Sequence, residues 1–216
     1  MLVADPGAYA VTAALPPLPG AAREVAAIRK ALPPDMTDVL IGARASESRV
    51  RRLLRGHAVV HLATHGLLRD DRPFASFLAL AGRGHDPAAD GRLTTADIYE
   101  LALDADLVVL SACRSAQGPV TGDGVLGMTR AFMYAGAPSV VATLWDVAEQ
   151  AGAELMPAFY RSWRRGHNKS VALRDAQLLL LGRLGAGRVL LPTQGGALAL
   201  PDHPFFGAGF VLLGEA

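Results

Sequence analysis

The chain has 216 residues, of which 51% are hydrophobic and 19% charged, a composition that excludes a disordered protein. Its formal net charge of +1 gives no reason to expect nucleic acid or an anionic membrane as a partner. The single cysteine, Cys113, excludes an intramolecular disulfide and favours the reducing cytoplasm. No apolar run approaches the roughly 18 residues of a membrane helix, and the N-terminus has no signal-peptide pattern. We therefore expect one globular, cytoplasmic domain over residues 1–216.

Short apolar runs alternate with amphipathic stretches along the chain, which is the pattern of an α/β protein. The first predicted elements are an edge strand at 2–4, a loop at 10–20, a helix at 20–32, a strand at 39–41 and a helix capped by Ser46. They are followed by a buried strand at 57–63, a hairpin of 77–80 with 92–94, a helix at 95–103, a buried strand at 107–110 and a helix at 124–134 capped by Gly136. The last are a buried strand at 139–144, helices at 149–164 and 170–184, a glycine-rich loop and a strand at 210–213.

Polar residues follow the three buried strands at the points where these strands end. The exits carry His65, Cys113 and the pair Trp145-Asp146. A helix-like segment separates each strand from the next, so the strands can run parallel with their carboxyl ends on one edge of the sheet. Ligands of open parallel sheets bind outside that edge. We therefore expect His65 and Cys113 to lie within reach of each other.

A cysteine and a histidine in this arrangement suit nucleophilic catalysis. A thiol is only slightly ionised at neutral pH, and a neighbouring imidazole raises its reactive fraction. The N–H groups of Gly66 and Cys113 would stabilise the oxyanion, since glycine lets the backbone approach a substrate carbonyl. His65 lies 48 residues before Cys113, close to the caspase spacing of about 50. Without further support, a lone cysteine after an apolar strand is more often an inert buried residue.

Six motifs in order give the chain a more specific resemblance. They are Val60-His61-Leu62-Ala63-Thr64-His65-Gly66, Leu110-Ser111-Ala112-Cys113, Gly122-Asp123-Gly124-Val125-Leu126-Gly127, Val140-Val141-Ala142-Thr143-Leu144-Trp145, Ala172-Leu173-Arg174-Asp175-Ala176-Gln177 and Phe210-Val211-Leu212-Leu213-Gly214. Over about residues 15–214 the chain resembles the CHAT-domain peptidases of the caspase-like clan CD of cysteine proteases. The resemblance implies a caspase-like three-layer sandwich, a peptide-cleaving dyad of His65 and Cys113, an oxyanion hole from Gly66 and Cys113, and no cofactor or metal.

The resemblance also implies partners. The substrate would be a protein or peptide, and a TPR region or a separate sensor protein would regulate the enzyme, because family members commonly follow such regions. Two segments depart from the family pattern. Many members have an acidic pair directly after the tryptophan, where this chain has Asp146-Val147-Ala148-Glu149, and Thr-Gly after the cysteine, where it has Ser115-Ala116. Both segments lie near the expected substrate pocket, so the departures concern specificity.

Other features have simpler interpretations. Gly122-x-Gly124-x-x-Gly127 matches a dinucleotide-binding fingerprint by letter, but eight residues separate it from Cys113, and the fingerprint should follow its strand directly. His61 is expected to be a hydrogen-bonded structural residue on the strand before His65. Asp123, Trp145 and Asp146 are candidates for the substrate pocket, and either acid could receive a basic residue before the scissile bond.

Two rival functions remain open at the level of sequence. The chain could be a catalytically silent pseudo-protease that docks partner proteins at the site or at the sheet edge. Retention of His65, Gly66 and Cys113 together argues against this alternative, since a disused site has no chemical reason to keep all three. The other rival is a nucleotide-binding α/β protein, which the misplaced glycine pattern disfavours.

Overall fold

The computed structural model describes residues 1–7, 15–33, 37–69, 71–82, 89–111, 122–193 and 195–216. For residues 122–125 it describes the backbone and not the side chains. Cys113 and the side chain of Asp123 therefore lie outside the described part of the protein.

The described residues form strands and α-helices in an alternating order. The strands are β1 (Leu2–Ala4), β2 (Val39–Ile41), β3 (Val59–Ala63), β4 (Gly66–Leu67), β5 (Phe77–Ala79), β6 (Arg92–Thr94), β7 (Leu107–Leu110), β8 (Ser139–Thr143), β9 (Leu190–Thr193), β10 (Gly196–Ala199) and β11 (Phe210–Gly214). The helices are α1 (Pro19–Ala31), α2 (Glu47–Leu54), α3 (Thr95–Tyr99), α4 (Gly122–Tyr134), α5 (Glu149–Arg164), α6 (Lys169–Gly185) and α7 (Phe205–Ala208).

A six-stranded sheet forms the centre of the molecule, with the strand order β11-β8-β7-β3-β1-β2. Neighbouring strands run parallel except β11, which pairs antiparallel with β8. The parallel alignment of β3, β7 and β8 brings their carboxyl ends to one edge of the sheet, as predicted. Two small antiparallel sheets, β4-β5-β6 and β9-β10, lie outside it.

Helices cover both faces of the central sheet. Along β7, Val108 and Leu110 pack into a core with side chains of α2, α3 and α4. The alternate residues Leu107 and Val109 pack on the other face with α1, α5 and α6. Successive side chains of a strand point to opposite faces, so an apolar run buried on both sides is what this architecture requires. The predicted three-layer α/β sandwich, with a mostly parallel sheet between helices, is confirmed.

Some local predictions differ from the structure. The strand at 2–4 was expected at an edge, but it lies between β2 and β3, and β2 is the outermost strand. The predicted helix at 95–103 ends at Tyr99. The glycine-rich loop after α6 contains the hairpin of β9 and β10, whose residues are mostly exposed and show no buried-strand pattern.

Gly136 ends α4 as its position in the sequence predicts. The N–H of Ala137 donates to Phe132 O at 3.1 Å and the N–H of Gly136 to Met133 O at 3.1 Å, which is the Schellman arrangement. Gly136 has φ +121°, a conformation that favours glycine. The turn leads directly into β8 and thereby sets where that strand begins.

Candidate active site

His65 lies two residues beyond β3 on a fixed segment of backbone. Its carbonyl accepts a hydrogen bond from the N–H of Ala79 at 2.8 Å, and the hydroxyl of Thr64 donates to the carbonyl of Ala79. The residue is 1% exposed. Neighbouring strands therefore hold the backbone of His65 at the carboxyl edge of the sheet, where the sequence predicts it.

The imidazole of His65 is oriented by a backbone carbonyl. Nε2 lies 2.8 Å from the carbonyl oxygen of Pro16. A carbonyl can only accept a hydrogen bond, so Nε2 carries the proton, and in the neutral ring Nδ1 carries the lone pair. This contact fixes Nδ1 as the basic nitrogen.

The carbonyl of Pro16 belongs to a segment whose backbone is conformationally restricted. The ring of Pro16 fixes its own φ, and Pro17 restricts the residue before it to an extended conformation. Pro19 then occupies the first position of α1, where its missing N–H costs nothing. The three prolines at 16, 17 and 19 therefore present a carbonyl to His65 in a preset direction.

Gly66 is positioned to present its N–H away from β5. It lies opposite Leu78 in the antiparallel ladder of β4 and β5. The bond from Ala79 N–H to His65 O joins the residues on either side of this pair, which makes Gly66 and Leu78 a non-hydrogen-bonded pair. The N–H of Gly66 consequently points to the side opposite β5.

Ser111 marks the other strand exit. Its N–H donates to Leu62 O at 3.0 Å, which continues the pairing of β7 with β3 by one residue. The residue lines the same cleft as His65. Cys113 follows two residues later in the sequence and is not among the described residues, so its predicted approach to His65 remains a prediction.

The cleft beside His65 has a volume of about 670 Å³. The segment at 16–19 and the first turns of α1 form one wall. The start of α5 and the segment at 146–148 form the opposite wall, and Ser111 and Thr143 lie at the strand exits between them. This volume lies within the usual range of ligand-binding clefts.

Glu149 joins the two helices that form these walls. It is the first residue of α5, and its carboxylate accepts a hydrogen bond from the N–H of Gly20 in the first turn of α1. The carboxylate thus lies near two helix N-termini, where negative charge is favoured. Gly20 is small enough to allow this approach, since a Cβ there would stand 2.3 Å from Glu149 Cβ.

A buried polar chain lies under the cleft and links α1, β3 and α5. His61 Nδ1 is 3.2 Å from the Tyr160 hydroxyl, and His61 Nε2 is 2.9 Å from Glu24 Oε1. His61 and Tyr160 are 0% exposed and Glu24 is 3% exposed. Burial, and then the charge of Glu24, raise the pKa of Tyr160 well above its ordinary value. His61 thus has the hydrogen-bonded structural position that the sequence predicts.

The pocket candidates Asp123, Trp145 and Asp146 have different surroundings. Asp146 is exposed and lines the cleft at its rim. Trp145 donates from Nε1 to Phe205 O at 3.1 Å and stacks on the Phe205 ring at 5.4 Å. Asp123 lies in the first turn of α4, and its side chain is not described. The fingerprint glycines 122, 124 and 127 all lie within α4, whereas a phosphate loop precedes its helix.

Sequence reasoning missed Pro16 and Glu24. The run of prolines before α1 signals a rigid loop, but no local pattern shows that it reaches a histidine 49 residues away. Glu24 follows Arg23 in an amphipathic helix and resembles an ordinary solvent-facing acid. Its burial becomes visible only in the folded protein, where Glu24 of α1 lies against His61 of β3.

The described residues contain neither a metal-binding cluster nor a membrane-spanning helix. No group of three or more His, Cys, Asp or Glu side chains within them could hold a metal ion. No helix within them is long and apolar enough to cross a membrane.

A mostly parallel sheet between two helical layers, with a histidine at one strand exit, is consistent with a caspase-like fold. The CHAT domain family model matches residues 2–215, and the chain belongs to the CHAT domain family. It is also similar to tetratricopeptide repeat protein 28 of Homo sapiens and of Mus musculus, each 30% identical over 206 residues and 82% of this chain. The chain spans 8% of the length of either relative.

Proposed function

We propose that this CHAT domain is a cysteine endopeptidase with Cys113 as nucleophile and His65 as general base. The observation that carries the proposal is the 2.8 Å contact between His65 Nε2 and Pro16 O. It leaves the lone pair on Nδ1, on the ring edge that faces away from the carbonyl. An imidazole with one nitrogen held by an acceptor and the other basic is the form that activates a thiol.

The reaction would proceed in two halves. In the first, Nδ1 of His65 takes the thiol proton of Cys113, and the thiolate attacks the scissile carbonyl carbon. The N–H groups of Gly66 and Cys113 stabilise the oxyanion. Collapse breaks the C–N bond, His65 gives its proton to the leaving amine, and a thioester remains. In the second half, His65 takes a proton from water, the hydroxide attacks the thioester, and the Cys113 thiolate leaves and regains the proton.

The substrate would be a protein or peptide whose side chain enters the cleft beside His65. Asp146 at the rim would contact it there. Asp123 at the start of α4 and Trp145, which packs on Phe205, stay candidates for substrate contacts beyond the cleft lining. The reaction needs no cofactor or metal, since thiol and imidazole supply all of its chemistry. It needs a reduced thiol, and we place the domain, as a single unit over residues 1–216, in the cytoplasm. Nucleic acid and membrane play no part in this proposal.

Control of the peptidase would come from a TPR region or a separate sensor protein. The support is that two relatives carry the name tetratricopeptide repeat protein and are far longer than the matched segment. In such an arrangement the sensor would decide when the site accepts substrate.

Labelling of Cys113 by a peptidyl acyloxymethylketone tests the dyad. We compare the wild-type protein with Cys113→Ala and His65→Ala, and use His57→Ala as the matched control. His57 precedes β3, where it contacts Leu53 O at 2.8 Å and Asp38 at 3.0 Å, outside the cleft lining. We expect His65→Ala to slow labelling by about 100-fold or more and His57→Ala to leave it unchanged.

Proteome-wide mapping of new N-termini, wild type against Cys113→Ala, then identifies cleavage. Equal labelling rates of the wild-type protein and the His65→Ala variant would show that His65 does not activate the Cys113 thiol. Labelling without any Cys113-dependent cleavage, in the presence or absence of candidate sensors, would favour the pseudo-protease.

A further inference from the structure

The helix α6 is apolar on its outer face as well as on its inner face. The inner face is buried in the core through Leu173, Ala176, Leu180 and Leu184. A helix at the surface of a globular protein usually has charged and polar residues on the opposite side. In α6 that side instead exposes Val171, Leu178 and Leu181. A helix that is apolar all round is typical of a buried position, so the outer face of α6 is suited to packing against another surface.

The exposed apolar residues form a continuous stripe with Arg174. The positions 171, 174, 178 and 181 are three or four residues apart, a spacing that keeps side chains on one side of a helix. Gly185, the last residue of α6, continues the spacing. We call these five residues the outer stripe. A stripe of this spacing is what a second helix packs against, whereas single exposed leucines need no explanation.

Arg174 places a positive charge in the outer stripe. It is exposed and makes no ion pair with any described residue. No acidic residue stands three or four positions before or after it on the helix. The neighbouring Asp175 accepts a hydrogen bond from Ser162 and lies 3.2 Å from His167. The guanidinium group of Arg174 is therefore available to an acidic group from outside.

A negative charge lies at the other end of the outer stripe. Asp202 is exposed, and its Oδ2 is 3.1 Å from the position that a Cβ on Gly185 would take. Within the part of the chain that the structure describes, this carboxylate has no ion-pair partner. It stands beside the last turn of α6, where the helix dipole disfavours an anion and favours a cation. Arg174 of the same chain is 11 positions from Gly185, or about 16 Å along the helix, too far for an ion pair.

The outer stripe has the symmetry that pairing of two identical chains requires. Leu178 and Leu181 are equally far from its midpoint, and so are Arg174 and Gly185. When two copies of α6 pack antiparallel about a two-fold axis at this midpoint, Leu178 of each copy meets Leu181 of the other. Arg174 then lies over Gly185 of the other copy, which has no side chain, and beside Asp202. A single rotation thus covers the leucines and brings both pairs of opposite charges together.

We propose that α6 forms the interface of a homodimer, in which the outer stripes of two copies pack antiparallel and Arg174 of each copy pairs with Asp202 of the other. This inference goes beyond the proposed peptidase function and does not depend on it. A second copy of the chain fits this face because the chain's own arginine and aspartate stand at matching distances from the midpoint. The partner's charges are thereby specified, which an apolar stripe alone would not do.

The size of the interface predicts a reversible dimer. A helix of 17 residues is about 25 Å long and about 10 Å wide. One such helix from each copy buries less than the about 800 Å² per partner of a standard protein complex. We therefore expect a dissociation constant of about 10 µM.

Sedimentation velocity of the full chain tests whether the dimer forms. The protein is measured from about 1 to 300 µM, a range that brackets the expected dissociation constant. A reducing agent prevents a disulfide between the Cys113 residues of two copies. We expect the weight-average mass to rise with concentration from that of one chain toward that of two. A wild-type protein that stays monomeric over the whole range overturns the proposal and leaves the outer stripe to a different protein.

Two neighbouring leucines test which face forms the interface. Leu178 is 52% and Leu179 is 40% exposed, so both glutamate variants should fold, which circular dichroism verifies. The two side chains point about 100° apart around the helix, and only Leu178 belongs to the outer stripe. Leu178→Glu should raise the dissociation constant about 100-fold or more, because the two-fold axis buries the new charge twice. Leu179→Glu is the matched control and should change it by less than about threefold. Equal effects of the two variants overturn the proposal.

A mixing experiment tests the pairing of charges between copies. Arg174→Glu alone and Asp202→Arg alone each bring like charges together twice, so each should raise the dissociation constant about tenfold or more. In a mixture of the two variants, every contact between unlike chains again joins opposite charges. We therefore expect heterodimers with about the wild-type affinity. Both residues are exposed, so neither replacement touches the core.

The mixing experiment also has a clear negative result. A mixture that associates no better than either variant alone overturns the proposed pairing. None of these measurements uses a reaction of Cys113. A failure of the dimer proposal therefore leaves the peptidase proposal standing, and a failure of the peptidase proposal leaves the dimer proposal standing.

Discussion

His65 Nε2 lies 2.8 Å from the carbonyl oxygen of Pro16, so a backbone group takes part in orienting the imidazole. In a catalytic triad this task belongs to a carboxylate or amide. A carbonyl fixes the same tautomer without adding a negative charge beside the ring. The loop before α1 therefore contributes a backbone group to the candidate site.

Replacement of Pro17 tests whether this loop holds His65. Pro17→Ala frees the ψ angle of Pro16 and should let its carbonyl leave the ring, so we expect His65-dependent labelling of Cys113 to slow by about three- to tenfold. Nitrogen-15 NMR of the imidazole should show a smaller fraction of the Nε2–H tautomer. Pro33→Ala, at the exposed far end of α1, is the control and should alter neither. An unchanged tautomer in Pro17→Ala would show that the proline pair is not what fixes the ring.

Tyr160→Phe should destabilise the protein, because it leaves His61 Nδ1 buried without its hydrogen-bond partner. We expect a loss of about 1–3 kcal/mol in the free energy of unfolding at pH 7, measured by urea denaturation. Tyr134→Phe is the control, since Tyr134 is 76% exposed, and it should change stability by less than about 0.5 kcal/mol. Equal losses in the two variants would contradict a role for the Tyr160 hydroxyl.

The same tyrosine predicts a pH dependence. Burial raises the pKa of Tyr160 in the folded protein, so the unfolded chain loses this proton first as the pH rises. The contribution is intact below the unfolded-state pKa of about 10 and declines above it, by up to about 1.4 kcal/mol per pH unit. Between about pH 10 and 11, the free energy of unfolding of Tyr160→Phe should therefore fall less steeply than that of the wild-type protein. Parallel curves would mean that Tyr160 ionises equally easily in both states.

The layers of this fold could be predicted from the sequence because a local run of apolar residues indicates a buried strand. β7 is a continuous apolar run and β8 has an apolar centre, and such strands fit the middle of a sheet covered on both faces. The strand at 2–4 has the same character, but its neighbours come from distant segments, so its position inside the sheet was not visible. The hairpin of β9 and β10 has exposed apolar residues such as Leu190 and Leu198, which follow no period.

The site residues could be predicted where the type of side chain indicates its chemical role. They could not be predicted where the role depends on contacts that form only in the folded protein. His65 and Gly66 follow from their strand exit and motif. Pro16 acts through its carbonyl, a group that every residue has, so its identity gives no signal. Glu24 is buried against His61, which lies 37 positions away in the sequence.

Glu149→Ala should weaken the packing of α1 against α5. The variant removes the acceptor of the Gly20 N–H at the start of α1, and we expect it to cost about 1–2 kcal/mol of stability in urea denaturation. Glu154→Ala is the control on the same helix. Glu154 pairs with Arg183 at the surface, where such an ion pair contributes about 0–1 kcal/mol. A smaller loss for Glu149→Ala than for Glu154→Ala would contradict the capping role.

Gly136→Ala should be among the most destabilising glycine replacements, for two separable reasons. Gly136 has φ +121°, and an added Cβ would stand 2.4 Å from Leu103 O, a backbone atom that cannot rotate away. Gly166→Ala isolates the first reason, because Gly166 has φ +94° and nothing within 4 Å of the added Cβ. We expect a loss of about 1–2 kcal/mol for Gly166→Ala from the backbone conformation alone. Gly136→Ala should lose about 1–3 kcal/mol more, because the turn into β8 must shift to relieve the contact. Urea denaturation of both variants measures the difference, and equal losses would show that the chain around Leu103 yields without cost.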